Sequence, residues 1–102
     1  MNTEFLGKQL SGPFTIPSGI VTTAPAIIQR VIDTMPEIGV ITTKSIGMQP
    51  RSGNREPVYS QFAPGCFVNA VGLTNPGMEE AFEGLASLQV PEDRFLLVSI
   101  FG

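Results

Sequence analysis

The stretch that decides the fold is residues 39–45, with the sequence GVITTKS. Its β-branched and apolar residues are typical of a strand buried on both faces, as strands of a parallel sheet are. Lys44 and Ser45 follow directly at the carboxyl end of that strand. Because parallel α/β folds carry their functional sites beyond this end, the stretch predicts both the sheet and the place of its chemistry.

The residues before this strand predict a helix over residues 22–35. Thr22 or Thr23 can cap its start, Pro25 fits its first turn, and Pro36 ends it. Its apolar side chains share one face and are predicted to be buried: Ile27, Ile28, Val31, Ile32 and Met35.

Residues 4–17 predict a β-hairpin, with a turn at Ser11-Gly12, that leads into a first core strand. Residues 46–74 show no strong periodicity, apart from a short extended piece over residues 66–68. Loops of this length are uncommon in compact domains unless they serve a function.

A second helix is predicted to begin at Asn75, which would cap it, with Pro76 in its first turn. Its apolar stripe is predicted to be buried and comprises Met78, Ala81, Phe82, Leu85 and Leu88. Pro91 ends this helix, and the apolar run over residues 95–100 predicts a third buried strand. This alternation of strands and helices predicts an α/β fold with a parallel sheet.

Two helices cannot cover both faces of such a sheet, and the third strand would be an open edge. We therefore expect residues 1–102 to form one incomplete domain. It would be the N-terminal portion, with three β/α units, of a (β/α)8 TIM-type barrel, preceded by a short β-hairpin. A complete barrel of this kind takes about 250 residues.

The composition excludes several classes of function. Six basic and nine acidic residues give a net charge of −3, which argues against nucleic acid as a partner. The absence of His removes His-based catalysis and His metal ligation, and the single Cys66 excludes an intrachain disulfide and a Cys-cluster metal site. No stretch reaches the roughly 20 apolar residues of a membrane span and no signal peptide is apparent, so we expect a cytoplasmic protein with no membrane partner.

Three strand ends are candidate sites: Ser18-Gly19, Lys44-Ser45 and residues 99–102. The Lys44 ammonium would point into the mouth of the barrel, although a strand-end lysine with its charge in water is the alternative. Ser18-Gly19 could bring backbone N–H groups against a flat or anionic ligand, or could form an ordinary turn.

The long loop adds further candidates. Residues 69–73 combine an Asn amide, exposed backbone and Gly72, which suits a planar polar ligand but also an ordinary turn. Residues 38–78 carry a net positive charge, which favours an anionic ligand. Cys66 could act as a nucleophile, but no activating group is near it in the sequence, so a buried inert thiol is the favoured interpretation.

Four segments taken together resemble the N-terminal part of a known family. They are residues 17–19 (PSG), 43–45 (TKS), 51–57 (RSGNREP) and 69–77 (NAVGLTNPG). Their order and spacing resemble those of the class 1 dihydroorotate dehydrogenases. These are FMN enzymes on a (β/α)8 barrel that oxidise dihydroorotate to orotate in de novo pyrimidine biosynthesis. The resemblance spans nearly the whole chain.

The resemblance implies a role for each matching residue, and makes residues 1–102 a partial flavin-binding domain. Lys44 would be the catalytic lysine between flavin and substrate. The flavin would lie along Ser18, Gly19, Lys44 and Ser45. The residues that would hold the substrate are Lys44, Asn69, Val71, Gly72 and Leu73.

The resemblance also implies what these residues do not supply. Pro17 and Val58 stand where the family usually has a small residue and an Arg. The family's catalytic base, a Cys or Ser on a later loop, and its glycine-rich phosphate loops have no counterpart here. We therefore expect the chain alone to be inactive, and to require the remaining barrel units or a second chain, in an enzyme that is a homo-oligomer.

Two alternatives to this function stay open at the level of sequence. One is a flavin domain like that of dihydropyrimidine dehydrogenase, which shares much of the pattern. The other is a non-catalytic partial barrel that acts as an association module. The electron acceptor, fumarate or a nicotinamide reached through a partner, is also left open.

Overall fold

The computed structural model describes residues 3–19 and 22–102 of the chain. Its elements, in chain order, are β1 Thr3–Phe5, β2 Lys8–Leu10, β3 Phe14–Ile16, α1 Pro25–Thr34, β4 Ile38–Thr42, β5 Tyr59–Ala63, β6 Cys66–Asn69, α2 Met78–Ala86 and β7 Phe95–Leu97. The strands form one central sheet and two separate hairpins. Across the described ranges, neither helix has the length and apolar character that crossing a membrane requires.

The central sheet has the strand order β3–β4–β7, and both pairs are parallel. This confirms the predicted α/β class with a parallel sheet. Strand β4 lies in the middle because its residues are apolar on both faces, and Val40 and Ile41 are buried there. The register places Ile16, Ile41 and Leu96 in one row across the three strands.

The core lies where α1 packs on this row. Ile28, Val31 and Ile32 of α1 form one cluster with Ile41 of β4. Ile28 and Ile41 are each only 1% exposed, and burial of one such side chain contributes about 1.5–3 kcal/mol. The partly buried residues that complete the cluster are Ile16, Ile38, Leu85, Leu88 and Leu96.

Both helices bury narrower faces than the sequence predicts. Ile27 of α1 and Met35, its C-cap, are exposed, as are Met78 and Phe82 of α2. The reason is that the helices meet only a three-stranded sheet, which covers the centre of each apolar stripe and leaves its margins in solvent. Within α2 only Ala81 is fully buried.

The predicted caps of both helices are wrong. Ala24 occupies the N-cap position of α1 without a side-chain hydrogen bond, because the Thr22 hydroxyl donates instead to the Gly19 carbonyl at 3.0 Å. Helix α2 begins at Met78 with Gly77 as its N-cap. Asn75 is engaged elsewhere, since its Oδ1 accepts the backbone N–H groups of Gly47 and Gly77.

The first hairpin, β1–β2, is antiparallel and turns at Leu6-Gly7, where both residues have positive φ. The predicted turn at Ser11-Gly12 is wrong. Gly12 instead lies against the backbone of Glu37, so close that no Cβ would fit, and Phe14 N–H donates to the Glu37 carbonyl at 3.1 Å. This contact fixes the entry into β3 beside β4.

A second hairpin, β5–β6, occupies part of the segment that lacks a periodic pattern in the sequence. The extended piece near residues 66–68 is present as β6, whereas its partner β5 was not predicted. Cys66 is exposed on β6, so the interpretation as a buried thiol is wrong. The physical reason is that every residue of β6 is exposed, because a two-stranded hairpin buries little surface of its own.

Strand β7 ends at Leu97, earlier than the predicted run to residue 100. Ile100 forms a separate parallel bridge to Ile46. Among the described residues β7 pairs on one side only, with β4. Leu97 and Ile100 are consequently exposed. The strand is the open edge that the sequence predicts, whereas the predicted burial of its apolar run is wrong at these two residues.

Candidate functional site

Lys44 lies two residues beyond the end of the central strand β4 and is partly buried. Its backbone N–H donates to the Thr22 carbonyl at 3.2 Å, and the Thr22 N–H donates to the Gly19 carbonyl at 3.2 Å. The Thr22 hydroxyl also accepts the Gly19 N–H at 3.2 Å. This chain of hydrogen bonds joins the carboxyl ends of β3 and β4, so the structure brings Gly19 and Lys44 to one edge of the sheet.

Ser45 joins the same edge to β7. Its hydroxyl shares a hydrogen bond of 2.8 Å with the hydroxyl of Ser99. The Ser99 N–H donates to the Thr43 hydroxyl at 3.1 Å, and the Ile46 N–H donates to the Ser99 carbonyl at 2.9 Å. All three strand ends that the sequence marks as candidate sites therefore meet at one polar edge.

A cavity of about 490 Å³ opens beside this edge, between the two helices. Its apolar wall includes Pro25 and Ile28 of α1 and Ala81 and Leu85 of α2. The polar side chains in its lining are Thr22, Thr23, Thr43, Lys44, Ser45, Thr74, Asn75 and Glu80. Lys44 and Glu80 carry opposite charges, so the cavity is less cationic than the loop composition alone predicts.

Two of the motif segments pair with each other next to this cavity. Arg51 and Asn75 form an isolated antiparallel bridge, with N–H···O distances of 2.9 Å in both directions. The Thr74 hydroxyl donates to the Arg51 carbonyl at 3.0 Å. Asn75 Nδ2 donates to the Leu73 carbonyl at 2.9 Å. We call the paired residues 51–54 and 70–75 the platform. Buried Asn75 connects the platform to Gly47 and to the start of α2.

The platform continues toward the second hairpin. Asn54 donates from its backbone to the Val71 carbonyl at 2.9 Å and from its side chain to the Ala70 carbonyl at 2.8 Å. Arg51 Nε donates to the Gly72 carbonyl at 2.6 Å. Gly72 has a φ of 86° and lies against Asn54, so a larger residue would be both strained and obstructed. The carbonyl groups along residues 70–73 are therefore engaged within the loop.

The structure separates the predicted site residues into two groups. Lys44 and Ser45 line the cavity, with Gly19 linked to it through Thr22. Asn69 is exposed at the end of β6, and Val71, Gly72 and Leu73 lie in the platform rather than in the cavity lining. Ser18 is exposed at the β3 end. Residues 74–76, which follow the platform directly, do line the cavity.

Several residues of this edge were not singled out from the sequence. Thr22, Thr43 and Asn75 connect the strand ends and the platform, whereas the sequence predicts only strand or capping roles for them, apart from the place of Thr43 and Asn75 in the motif segments. The available signal was the run of small hydroxyl residues at strand ends, which rarely belongs in an apolar strand without a partner. The described residues contain no cluster of three or more His, Cys, Asp or Glu side chains that could hold a metal ion.

The fold and this edge define the class of protein: an α/β chain whose polar site lies where parallel strands end. A family model described as dihydroorotate dehydrogenase matches residues 1–100. The chain belongs to the dihydroorotate dehydrogenase family, as the resemblance in sequence predicts.

The chain is similar to curated proteins named dihydroorotate dehydrogenase B (NAD(+)), catalytic subunit. It is 30% identical to that of Methanocaldococcus jannaschii, with 100% of the chain and 33% of the relative covered. It is 32% identical to that of Pyrococcus abyssi, covering 100% of the chain and 32% of the relative. It is 34% identical to that of Pyrococcus furiosus, covering 97% and 31%. The chain thus spans about a third of the length of these relatives.

Proposed function

We propose that this chain supplies the N-terminal part of an FMN-dependent dihydroorotate dehydrogenase that oxidises dihydroorotate to orotate. The observation that carries the proposal is the polar edge where Lys44 and Ser45 lie, tied by hydrogen bonds to the ends of both neighbouring strands. In this proposal the parallel strands β3, β4 and β7 are the first three strands of a (β/α)8 barrel, and β1–β2 precedes it. Family membership over residues 1–100 supports the assignment.

The residues at this edge fit a planar, partly anionic group such as FMN. Lys44 and Ser45 place a cation and a hydroxyl at the carboxyl ends of the strands, where a barrel holds its ligand, and Gly19 lies at the same edge. When bound, the flavin supplies the hydride acceptor for the oxidation. Lys44 would hold negative charge on the flavin or substrate, and its backbone link to Thr22 fixes where its side chain begins.

Ser18 and Gly19 would flank the flavin in this proposal. The Gly19 N–H already donates to the Thr22 hydroxyl, so Gly19 would allow close approach of the backbone rather than donate a hydrogen bond. Ser45 shares its hydroxyl with Ser99, which holds it at the rim and orients its remaining hydrogen-bonding capacity.

Asn69, Val71, Gly72 and Leu73 would contact the substrate from the platform side. Asn69 is exposed and its amide can both donate and accept, which matches the imide edge of a pyrimidine. Because a carboxylate accepts hydrogen bonds, any contact of this backbone to substrate carboxylate would come from N–H groups, and that of Ala70 already donates to the Val58 carbonyl.

The remaining parts of the reaction belong elsewhere in this proposal. None of these 102 residues matches the family's base or its phosphate loops, so we expect the chain alone to be inactive and colourless. The relatives are named as catalytic subunits of NAD(+)-linked enzymes, which supports a partner chain that carries electrons away. A homo-oligomeric, cytoplasmic enzyme remains our expectation.

A chimera tests the proposal directly. This chain would replace the matching third of the Methanocaldococcus jannaschii catalytic subunit, and flavin content and flavin reduction by dihydroorotate would be measured. We expect bound FMN and reduction by dihydroorotate, but not by dihydrouracil, which the alternative flavin domain would favour. A folded chimera that binds FMN but is reduced only by dihydrouracil would contradict the assignment of substrate.

The exposed apolar surface favours a second candidate, the association module. Phe14, Phe62 and Phe67 are each more than 60% exposed, at 61%, 72% and 68%. Surface of this kind is typical of an interface, and burying a few hundred Å² of it contributes several kcal/mol at about 25 cal/mol per Å². Sedimentation of the 102-residue chain tests it, because a monodisperse and cooperatively folded monomer would argue against any need for a covering partner.

A further inference from the structure

Arg94, which directly precedes β7, is a buried cation whose charge is not met within the described chain. The side chain is only 6% exposed. Its Nε and Nη1 atoms are buried and have no hydrogen-bond partner among the described residues. Arginine stays protonated in proteins, so it cannot relieve this situation by losing its charge. A buried guanidinium in such a position calls for an anion.

Residues of the first hairpin contact Arg94 and the neighbouring Phe95. Lys8 Nζ donates to the Arg94 carbonyl at 3.2 Å and lies 4.7 Å from the ring centroid of Phe95. The rings of Phe5 and Phe95 meet edge to face at 5.3 Å. The Arg94 N–H donates to the Pro91 carbonyl at 3.2 Å. The first hairpin therefore holds the backbone of Arg94 and the ring of Phe95 in place.

The position of Arg94 indicates where that partner comes from. Among the described residues, β7 pairs with β4 on one side and has no strand on the other. A strand added in parallel to this free edge would begin next to residues 94 and 95, and neighbouring residues on one face of a sheet lie about 5 Å apart. An acidic side chain at the start of such a strand would arrive beside residue 94.

We propose that Arg94 is a docking site for a carboxylate, carried near the start of a polypeptide strand that adds to the open edge of β7. The inference rests on the proposed function in one respect, since the added strand would be the next unit of the barrel. Arg94 would then select the register of that strand, because a shift by one residue turns the acidic side chain to the opposite face.

A peptide titration tests this with the 102-residue chain. The probes are the peptide Glu-Val-Thr-Val-Thr-Val and its counterpart with Gln in first place, followed through the amide NMR signals of β7. We expect the Glu peptide to bind about tenfold or more tightly than the Gln peptide, as close charge pairs in interfaces do. Arg94→Met should remove this preference, whereas Arg30→Met, the matched control at an exposed arginine of α1, should retain it.

One more variant and one more titration complete the test. Arg94→Lys retains the charge and should keep part of the preference, which guards against a folding defect in the Met variant. Sodium acetate is titrated at constant ionic strength. Equal binding of both peptides to the unaltered chain would overturn the proposal. Acetate that shifts the same signals in the unaltered chain but not in Arg94→Met would assign the site to a free carboxylate and overturn the strand as its source. Because no flavin or turnover is measured, failure here leaves the proposed function standing.

Discussion

The two ends of the central sheet differ in what holds them together. At the amino end the first hairpin packs on β7 through an aromatic pair, Phe5 and Phe95, with Lys8 over the Phe95 ring. At the carboxyl end the strands are joined by hydroxyl and backbone hydrogen bonds around Thr22, Ser45 and Ser99. Apolar contacts are well suited to stability, whereas a network of polar groups leaves atoms that a ligand can use. The sheet therefore has an apolar contact at the amino end of its strands and a polar network at the carboxyl end.

Phe95→Ala tests whether the aromatic contact at the amino end stabilises the fold. We expect the free energy of unfolding to fall by about 3 kcal/mol, because the aromatic pair and the Lys8 contact are lost together. Urea unfolding of the chain measures the change. Phe67→Ala on the exposed second hairpin is the control and should alter stability by less than about 0.5 kcal/mol. Equal effects of the two changes would show that the first hairpin does not secure β7.

Lys44→Ala tests the carboxyl end. In the chimeric enzyme we expect turnover to fall by about 10- to 100-fold, since one charge-assisted hydrogen bond contributes about 1.5–3 kcal/mol. Steady-state kinetics with dihydroorotate measures it, together with the unfolding midpoint, which should change little. Lys8→Ala is the matched control because it removes the other lysine, and it should affect stability more than turnover. Normal turnover in Lys44→Ala would remove this lysine from the mechanism.

Asn69→Ala tests whether the long loop contacts the substrate or the flavin. If Asn69 contacts substrate, the apparent KM for dihydroorotate should rise by about 2- to 10-fold, which corresponds to one neutral hydrogen bond. The flavin content, read from the visible spectrum, should be unchanged. Loss of flavin as the main effect would instead place Asn69 on the cofactor side of the site.

The smallest effect is expected at Cys66. The thiol is exposed on β6, so a thiol reagent should label the native chain without prior unfolding. Cys66→Ser should change the free energy of unfolding by less than about 0.5 kcal/mol. Labelling that requires denaturant would mean that the second hairpin is covered in solution, for instance by a second copy of the chain.

The helix and strand that frame the core were predictable from residues 22–45. Residues 39–43 are apolar on both faces, and that pattern has few solutions other than a central parallel strand. Ile28, Val31 and Ile32 recur at helical spacing and are buried as predicted. Lys44-Ser45 could be placed at the edge of the sheet for the same reason, because it follows the strand directly.

The second hairpin and the helix starts were not predictable in this way. Strand β5 carries no alternating apolar pattern because its side chains are almost all exposed, so burial left no trace in the sequence. Asn75 is typical of an N-cap, yet its Oδ1 accepts N–H groups from Gly47 and Gly77. The local sequence shows that an Asn can accept a nearby N–H group, but it does not show that a distant group such as the Gly47 N–H will also be its partner.

The sequence by itself determined the α/β class, the order of the main elements, the core of α1 and β4, and the family through its four motif segments. Each of these depends on periodicity or on residues that are close in the chain. The tertiary structure alone shows which hydrogen bonds join the predicted strand ends, that residues 51–54 pair with residues 70–75, and that Arg94 is buried beside the first hairpin. These contacts join residues far apart in the chain, and their energy depends on distances that exist only after the sheet has formed.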